Sequence, residues 1–270
     1  MSRDFNGTTD LIDLGSPAGL DDILPITIAM WARPDTMGEA NFGRLFDTAA
    51  SVAPQAGYRF FFGDGAGANR ITFNGGYTTT DFISNNNADV STAVWQFFAA
   101  TFKEGDGGAR LWKGTLSAPV AEMTYVTRTA EAGTRRSDAA NNKVIGNRPA
   151  ADRTMDGLLA HPSVWNQVLT VDQLNLLRIF PYAPMHRFSV GGTVVTLKGY
   201  WPLWESAAAT ALDHSGNGNN GTVTGTSLAE EPPFAFTRRG VRQVIRTPAV
   251  VGAPKFLPEQ LGLRPLVGIY

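Results

Sequence analysis

The sequence predicts an all-β fold, a two-sheet antiparallel sandwich with one short helix and an extended C-terminal arm. Three observations carry this expectation: short stretches of alternating character recur along the chain, Gly- and Asn-rich clusters separate them, and a helix pattern occurs once. The alternating stretches are Ile26–Trp31, Tyr58–Phe62, Arg70–Phe73, Trp95–Phe102, Ala109–Lys113, Lys143–Gly146, Gly157–Trp165 and Val194–Trp201. Between them lie Gly63-Asp64-Gly65, Asn74-Gly75-Gly76, the run 104–108 and Ser215-Gly216-Asn217-Gly218, whose Gly and Asn residues tolerate the positive φ of tight turns. Antiparallel hairpins follow from connections this short. The helix is expected after Thr170, which caps with Gln173 three residues on, while Val171, Leu174 and Leu177 form an apolar stripe. It should end near Ile179, before Pro181. A parallel sheet would need helices between most strands.

Composition bounds the function. The chain has 270 residues, 43% of them hydrophobic and 17% charged, with 29 Gly and 16 Pro, which fits one sandwich of the larger sort plus an appendage. No cysteine is present, so disulfides, thiolate nucleophiles and Cys-ligated zinc are excluded. Neither a signal peptide nor an apolar run near the roughly 18 residues of a membrane span is found. The formal charge of −1 divides unevenly: residues 232–270 carry six Lys/Arg against one Asp/Glu, leaving 17 against 23 for residues 1–231. Six prolines among those last residues forbid a long helix or central strand, and apolar residues such as Phe234, Phe236, Phe256 and Leu257 suit an arm laid on a surface. That arm either docks on a partner or folds back on its own domain.

Six ordered motifs resemble the laminin-G-like family of concanavalin-A-like jelly rolls over roughly residues 3–228. Phe5-Asn6-Gly7-Thr8-Thr9-Asp10 with Leu11-Ile12-Asp13-Leu14 is similar to the family's opening strand pair. Ile26–Pro34, Trp95–Phe102, Leu111-Trp112-Lys113-Gly114 and Val144-Ile145-Gly146-Asn147 resemble four successive strands. Met155–Thr170 resembles the last strand with its helix entry. The resemblance implies core roles for Trp31, Trp95, Trp165 and Trp201. Two departures stand out. Ala160-His161 replaces an Asp-Glu pair that helps hold a structural calcium in such domains, and the Gly199–Thr222 block, which in the family usually opens a domain, here closes it. A domain of residues 1–229 with permuted order, followed by an arm of residues 230–270, is the expected organisation, with a truncated second copy as the rival.

Chemistry is sparse. Paired carboxylates for glycoside hydrolysis stand about 5 Å apart in retaining enzymes, and the nearest approach in sequence, Asp152 and Asp156, straddles a turn. His161, His186 and His214 lack metal-site spacing and are read as surface or turn residues. No enzyme is expected, and a hydrolase is the weakest of three readings. For calcium, Asp213, Ser215 and Asn217 offer oxygen ligands, against the alternative of a Gly/Asn turn in which Asp213 bonds its own backbone. For glycans, Tyr77, Asp81, Asn85, Asn86 and Asn87 combine an aromatic with amides and a carboxylate. For docking, Arg238, Arg239, Arg242, Arg246, Phe256 and Arg264 mark the arm. The resemblance, with the late block and basic tail, implies a structural or adhesin protein on the virion surface of a tailed bacteriophage, its arm contacting other virion proteins. A glycan-binding module is the alternative. Neither nucleic acid nor membrane is an expected partner, no cofactor beyond an optional structural calcium is implied, and self-association is left open.

Overall fold

The computed structural model describes residues 1–49, 54–183, 196–206 and 210–234, together with the backbone at 189–190 and 193–194. In chain order the strands are β1 (Ser2–Asn6), β2 (Leu11–Asp13), β3 (Ile26–Pro34), β4 (Arg44–Asp47), β5 (Tyr58–Phe62), β6 (Ile71–Gly75) and β7 (Phe82–Asn86). Then follow β8 (Gln96–Phe102), β9 (Arg110–Thr115), β10 (Ala121–Glu122), β11 (Tyr125–Thr129), β12 (Val144–Ile145) and β13 (Asp156–Trp165). Helix α1 (Val171–Ile179) precedes β14 (Ser189–Val190), β15 (Thr193–Val194), β16 (Leu197–Tyr200), β17 (Thr210–Ala211), β18 (Gly221–Thr224) and β19 (Ser227–Ala229). The first sheet runs β10-β9-β8-β3-β13-β1-β19, with β16 also on β13, and the second runs β11-β7-β6-β5-β4-β12-β2-β18-β17. All pairings are antiparallel, as the short Gly-rich connections require.

Alternation assigns the faces. On β3, Ile28 and Met30 point between the sheets to meet Phe60, Phe62, Phe73 and Phe98, while Ala29 and Trp31 point the other way. That outer face is covered: Trp31, Trp95, Phe97 and Trp165 pack with Leu174 and Leu177 of α1. Strands buried on both sides explain why β3, β8 and β13 read as nearly continuous apolar runs. The expected core tryptophans are all buried, Trp201 between the sheets and the other three beneath the helix. Helix α1 begins as its sequence predicts, with the Thr170 hydroxyl accepting the Gln173 N–H and the Gln173 side chain accepting the Thr170 N–H.

The late-arriving block joins both sheets. Val223 lies opposite Ile12, Leu228 opposite Arg3 and Tyr200 opposite Ser163, so residues 197–229 supply strands beside β2, β1 and β13. The compact unit extends past the expected boundary at 229 to Phe234, whose ring stands 5.4 Å from Trp31. A second unit comprises residues 235–270, so Arg238, Arg239, Arg242, Arg246, Phe256 and Arg264 fall outside the described residues, as does His186.

One histidine departs from expectation. His161 is 4% exposed rather than on the surface, because a bulge in β13 sets Ala160 opposite Trp31 but Ser163 opposite Ala29 and turns its ring inward. Its Nδ1 lies 2.9 Å from the Tyr200 hydroxyl and its Nε2 3.1 Å from the Glu231 carboxylate. Among the described residues no helix is long and apolar enough to cross a membrane.

Candidate functional site

With α1 covering one side of the sandwich, the outer face of the second sheet is left to polar side chains. Register lines them up in two adjacent rows crossing β7, β6, β5 and β4. Asn85, Thr72, Phe61 and Arg44 form one row; Ile83, Asn74, Arg59 and Asp47 form the other. Over these rows opens a cavity of about 190 Å³, lined by Phe42, Arg44, Arg59, Phe61, Asp64, Thr72, Asn74, Ile83 and Asn85. The volume is below the roughly 300–1,000 Å³ of pockets for drug-sized ligands and suits a single sugar ring or small head group.

Two loops raise the walls. The turn after β5 places Asp64, whose carboxylate accepts the N–H groups of Ala66 and Ala68 and pairs with Arg70 at 2.5 Å. Opposite, a short helical turn at 39–41 carries Phe42 to within 5.9 Å of Phe61, centroid to centroid. The Arg44 guanidinium lies 4.3 Å above the Phe61 ring and pairs with Asp47 at 2.8 Å. Burial pushes the Asp47 carboxyl up and draws Arg44 down to about 10, each against the opposing charge of its partner. Burial also lowers Arg59, opposed by the charges of Asp47 and Asp81. The carboxamide oxygens of Asn74 and Asn85 are buried and accept no hydrogen bond from the described residues. Two carboxamide side chains, cationic guanidinium groups and two phenyl rings therefore line one hollow.

Of the five residues expected to bind glycan, the structure brings only Asn85 to this cavity. Tyr77 is 1% exposed, its hydroxyl donating to Glu104 and its ring edge-on to Phe82 and Phe102, so it has no free face to stack on a sugar. Asp81 accepts the Tyr77 N–H at 2.7 Å and pairs with Arg136 at 3.0 Å. Asn86 points into the sandwich, its oxygen accepting the Ile71 N–H, whereas Asn87 is exposed beyond the strand end. Sequence reasoning missed Arg44, Arg59, Phe61 and Asn74. Their signal was present in part, since alternation in Tyr58–Phe62 puts Arg59 and Phe61 on the face opposite Tyr58, Phe60 and Phe62.

The calcium candidates form a turn. Asp213 Oδ1 accepts the N–H groups of Tyr200 and Ser215, and its Oδ2 accepts the Ser215 hydroxyl and the Asn219 N–H. The Asn217 amide donates to the carbonyls of Leu197 and Lys198. Both carboxylate oxygens face donors, so these residues do not fit a calcium ligand set, and no group of three acidic or histidine side chains arranged for a metal occurs among the described residues. The acids weighed for hydrolysis are likewise engaged, Asp152 with Arg148 at 2.6 Å and Asp156 with the Thr36 hydroxyl at 2.7 Å.

The fold has relatives. Among solved structures, a candidate carbohydrate-binding protein from Bacteroides ovatus superposes with a TM-score of 0.53 at 14% identity, covering 84% of this chain and 58% of its own. The chain thus spans little more than half the length of that relative. The CBM40 of a Ruminococcus gnavus IT-sialidase, bound to α2,3-sialyllactose, gives 0.45 at 10% identity over 66% and 97% of the two chains. A tailspike protein of an Escherichia coli O157:H7 bacteriophage gives 0.42 at 13% identity over 74% and 25%. Curated protein sequences return no match. Residues 6–175 match the laminin-G-type profile of the concanavalin A-like lectin/glucanases superfamily, and with a sandwich of the same kind built from those residues, the chain belongs to that superfamily.

Proposed function

We propose that the chain is a non-catalytic carbohydrate-binding module that takes its ligand on the open face of the second sheet. The observation that carries this reading is a sugar-sized cavity lined by Phe42, Phe61 and the carboxamides of Asn74 and Asn85, whose oxygens have no donor among the described residues. Buried acceptors without donors are costly unless a ligand supplies them, and sugar hydroxyls are donors of the right kind. The lectin-like fold and the carbohydrate-binding assignment of the Bacteroides relative support the same reading. Engagement of Asp152 and Asp156 by neighbouring side chains supports binding without hydrolysis.

A glycan array followed by calorimetry tests it. The wild-type chain is expected to bind a subset of glycans without releasing products, and Asn74→Ala with Asn85→Ala to weaken binding about tenfold or more with no fall in melting temperature, as two lost hydrogen bonds to ligand imply. A blank array, or undiminished binding by the double variant, would overturn the reading. Display on a virion or other assembly through the basic segment 232–270 is a separate proposal resting on its six Lys/Arg against one acid. Its test is incorporation into particles by a chain ending at Phe234.

A further inference from the structure

Charge pairing around the cavity is uneven. Arg44 is matched by Asp47, Arg70 by Asp64, and Arg148 together with Arg153 by the single Asp152. The Arg59 guanidinium has no match: among the described residues it makes neither an ion pair nor a hydrogen bond, and its Nε is buried. The two carboxylates whose charges act on it, Asp47 opposite it across the strands and Asp81, each hold another arginine. Asp47 serves Arg44 and the Ala49 N–H, and Asp81 serves Arg136 and the Tyr77 N–H. A half-buried, unmatched guanidinium is costly to hold, and a carboxylate offsets that cost best because its two oxygens fit the planar fork of donors. The two acceptors beside it need hydroxyl donors, and cross-strand neighbours Arg59 and Asn74 place the cation and one acceptor side by side.

We propose that this cavity recognises a carboxylated sugar residue, with Arg59 gripping the carboxylate while the carboxamides of Asn74 and Asn85 accept hydrogen bonds from ring hydroxyls. The inference rests on the carbohydrate-binding reading above and narrows it to acidic glycans. Selection of acidic over neutral ligands follows from one unmatched positive charge at the cavity floor, and binding weakens as salt rises because part of the attraction is ionic.

The test compares three sets of glycans on the full chain: those carrying uronic or nonulosonic acids, their carboxyl-reduced counterparts, and sulfated ones. The carboxylated set is expected to bind, and reduction of the carboxyl to an alcohol to lower affinity on the order of 10- to 100-fold, the value of a charge-assisted pair. Arg59→Met is expected to lose a similar factor for the carboxylated ligand and a much smaller one for the reduced ligand, while Arg59→Lys retains part of the affinity and its salt dependence. The reduced-ligand arm uses wild-type protein, so a fold defect in a variant leaves the test intact. Equal binding of carboxylated and reduced glycans overturns the inference and leaves the carbohydrate-binding reading standing. Preference for sulfated glycans alone overturns the carboxylate assignment, and a chain that binds none of the three sets overturns both readings.

Discussion

Gly63 has a φ of +85°, and a Cβ there would stand 2.0 Å from the Asn41 carbonyl oxygen. Its N–H donates to the Arg70 carbonyl, starting the turn that presents Asp64, while the Asn41 turn carries Phe42. Gly63 is thus where both walls of the cavity meet backbone to backbone. Gly63→Ala forces a side chain into the left-handed region and against a carbonyl, and is expected to cost about 1–3 kcal/mol in urea denaturation and to weaken glycan binding. An unchanged midpoint would show that the walls yield freely. The sequence marks Gly63-Asp64-Gly65 as a hairpin turn, as local propensity permits. That the turn borders a cavity depends on Asn41 and Phe42, some twenty residues earlier, and contacts at that separation leave no local trace.

At the scale of elements, strand β13 shows how far periodicity reaches. Its apolar character and place before the helix are legible from Gly157–Trp165, but the bulge at His161 that turns the ring inward is not, because a bulge is defined by the register of the partner strand. The His161 ring that the bulge turns meets Glu231. Burial works against ionisation of Glu231, yet hydrogen bonds from His161, Tyr182 and the chain's amino group, with that group's charge, together bring its carboxyl down to about 2. The folded value lies below the ordinary 4.5, so ionisation favours the folded state. That contribution is complete above about pH 4.5 and is lost as pH falls toward 2. In melting curves recorded from pH 6 to pH 2, Glu231→Gln is expected to show a shallower fall across this window than the wild type. Parallel curves would sink the assignment.

At the scale of the whole molecule, the sandwich, its antiparallel wiring and the single capped helix were all readable in the sequence, since each rests on alternation, turn residues or a capping box. The candidate site was not. Its two rows draw on four strands, and only the register that sets Asn85 by Thr72, Asn74 by Arg59 and Arg44 by Phe61 brings them together. The extent of the compact unit also needed tertiary contacts, because Phe234 lies in a proline-rich stretch yet packs on Trp31. A chain ending at Ala229 keeps every strand found among the described residues but loses the Glu231 and Phe234 contacts. It is expected to melt below a chain ending at Phe234, as scanning calorimetry would show, and equal midpoints would place the end of the unit earlier.

The pairing of Ser2 with Ala229 joins β1 to β19, the first and last strands among the described residues. Contacts spanning so much of a chain slow folding, because loop closure must precede any reward, and sandwiches dominated by such pairs fold in roughly milliseconds to seconds. Until residues 221–229 arrive, β1 and β2 each lack a neighbour on one side and present open backbone to other chains. Synthesis therefore carries this sandwich through an interval of vulnerability to aggregation that ends only when its last strands are made.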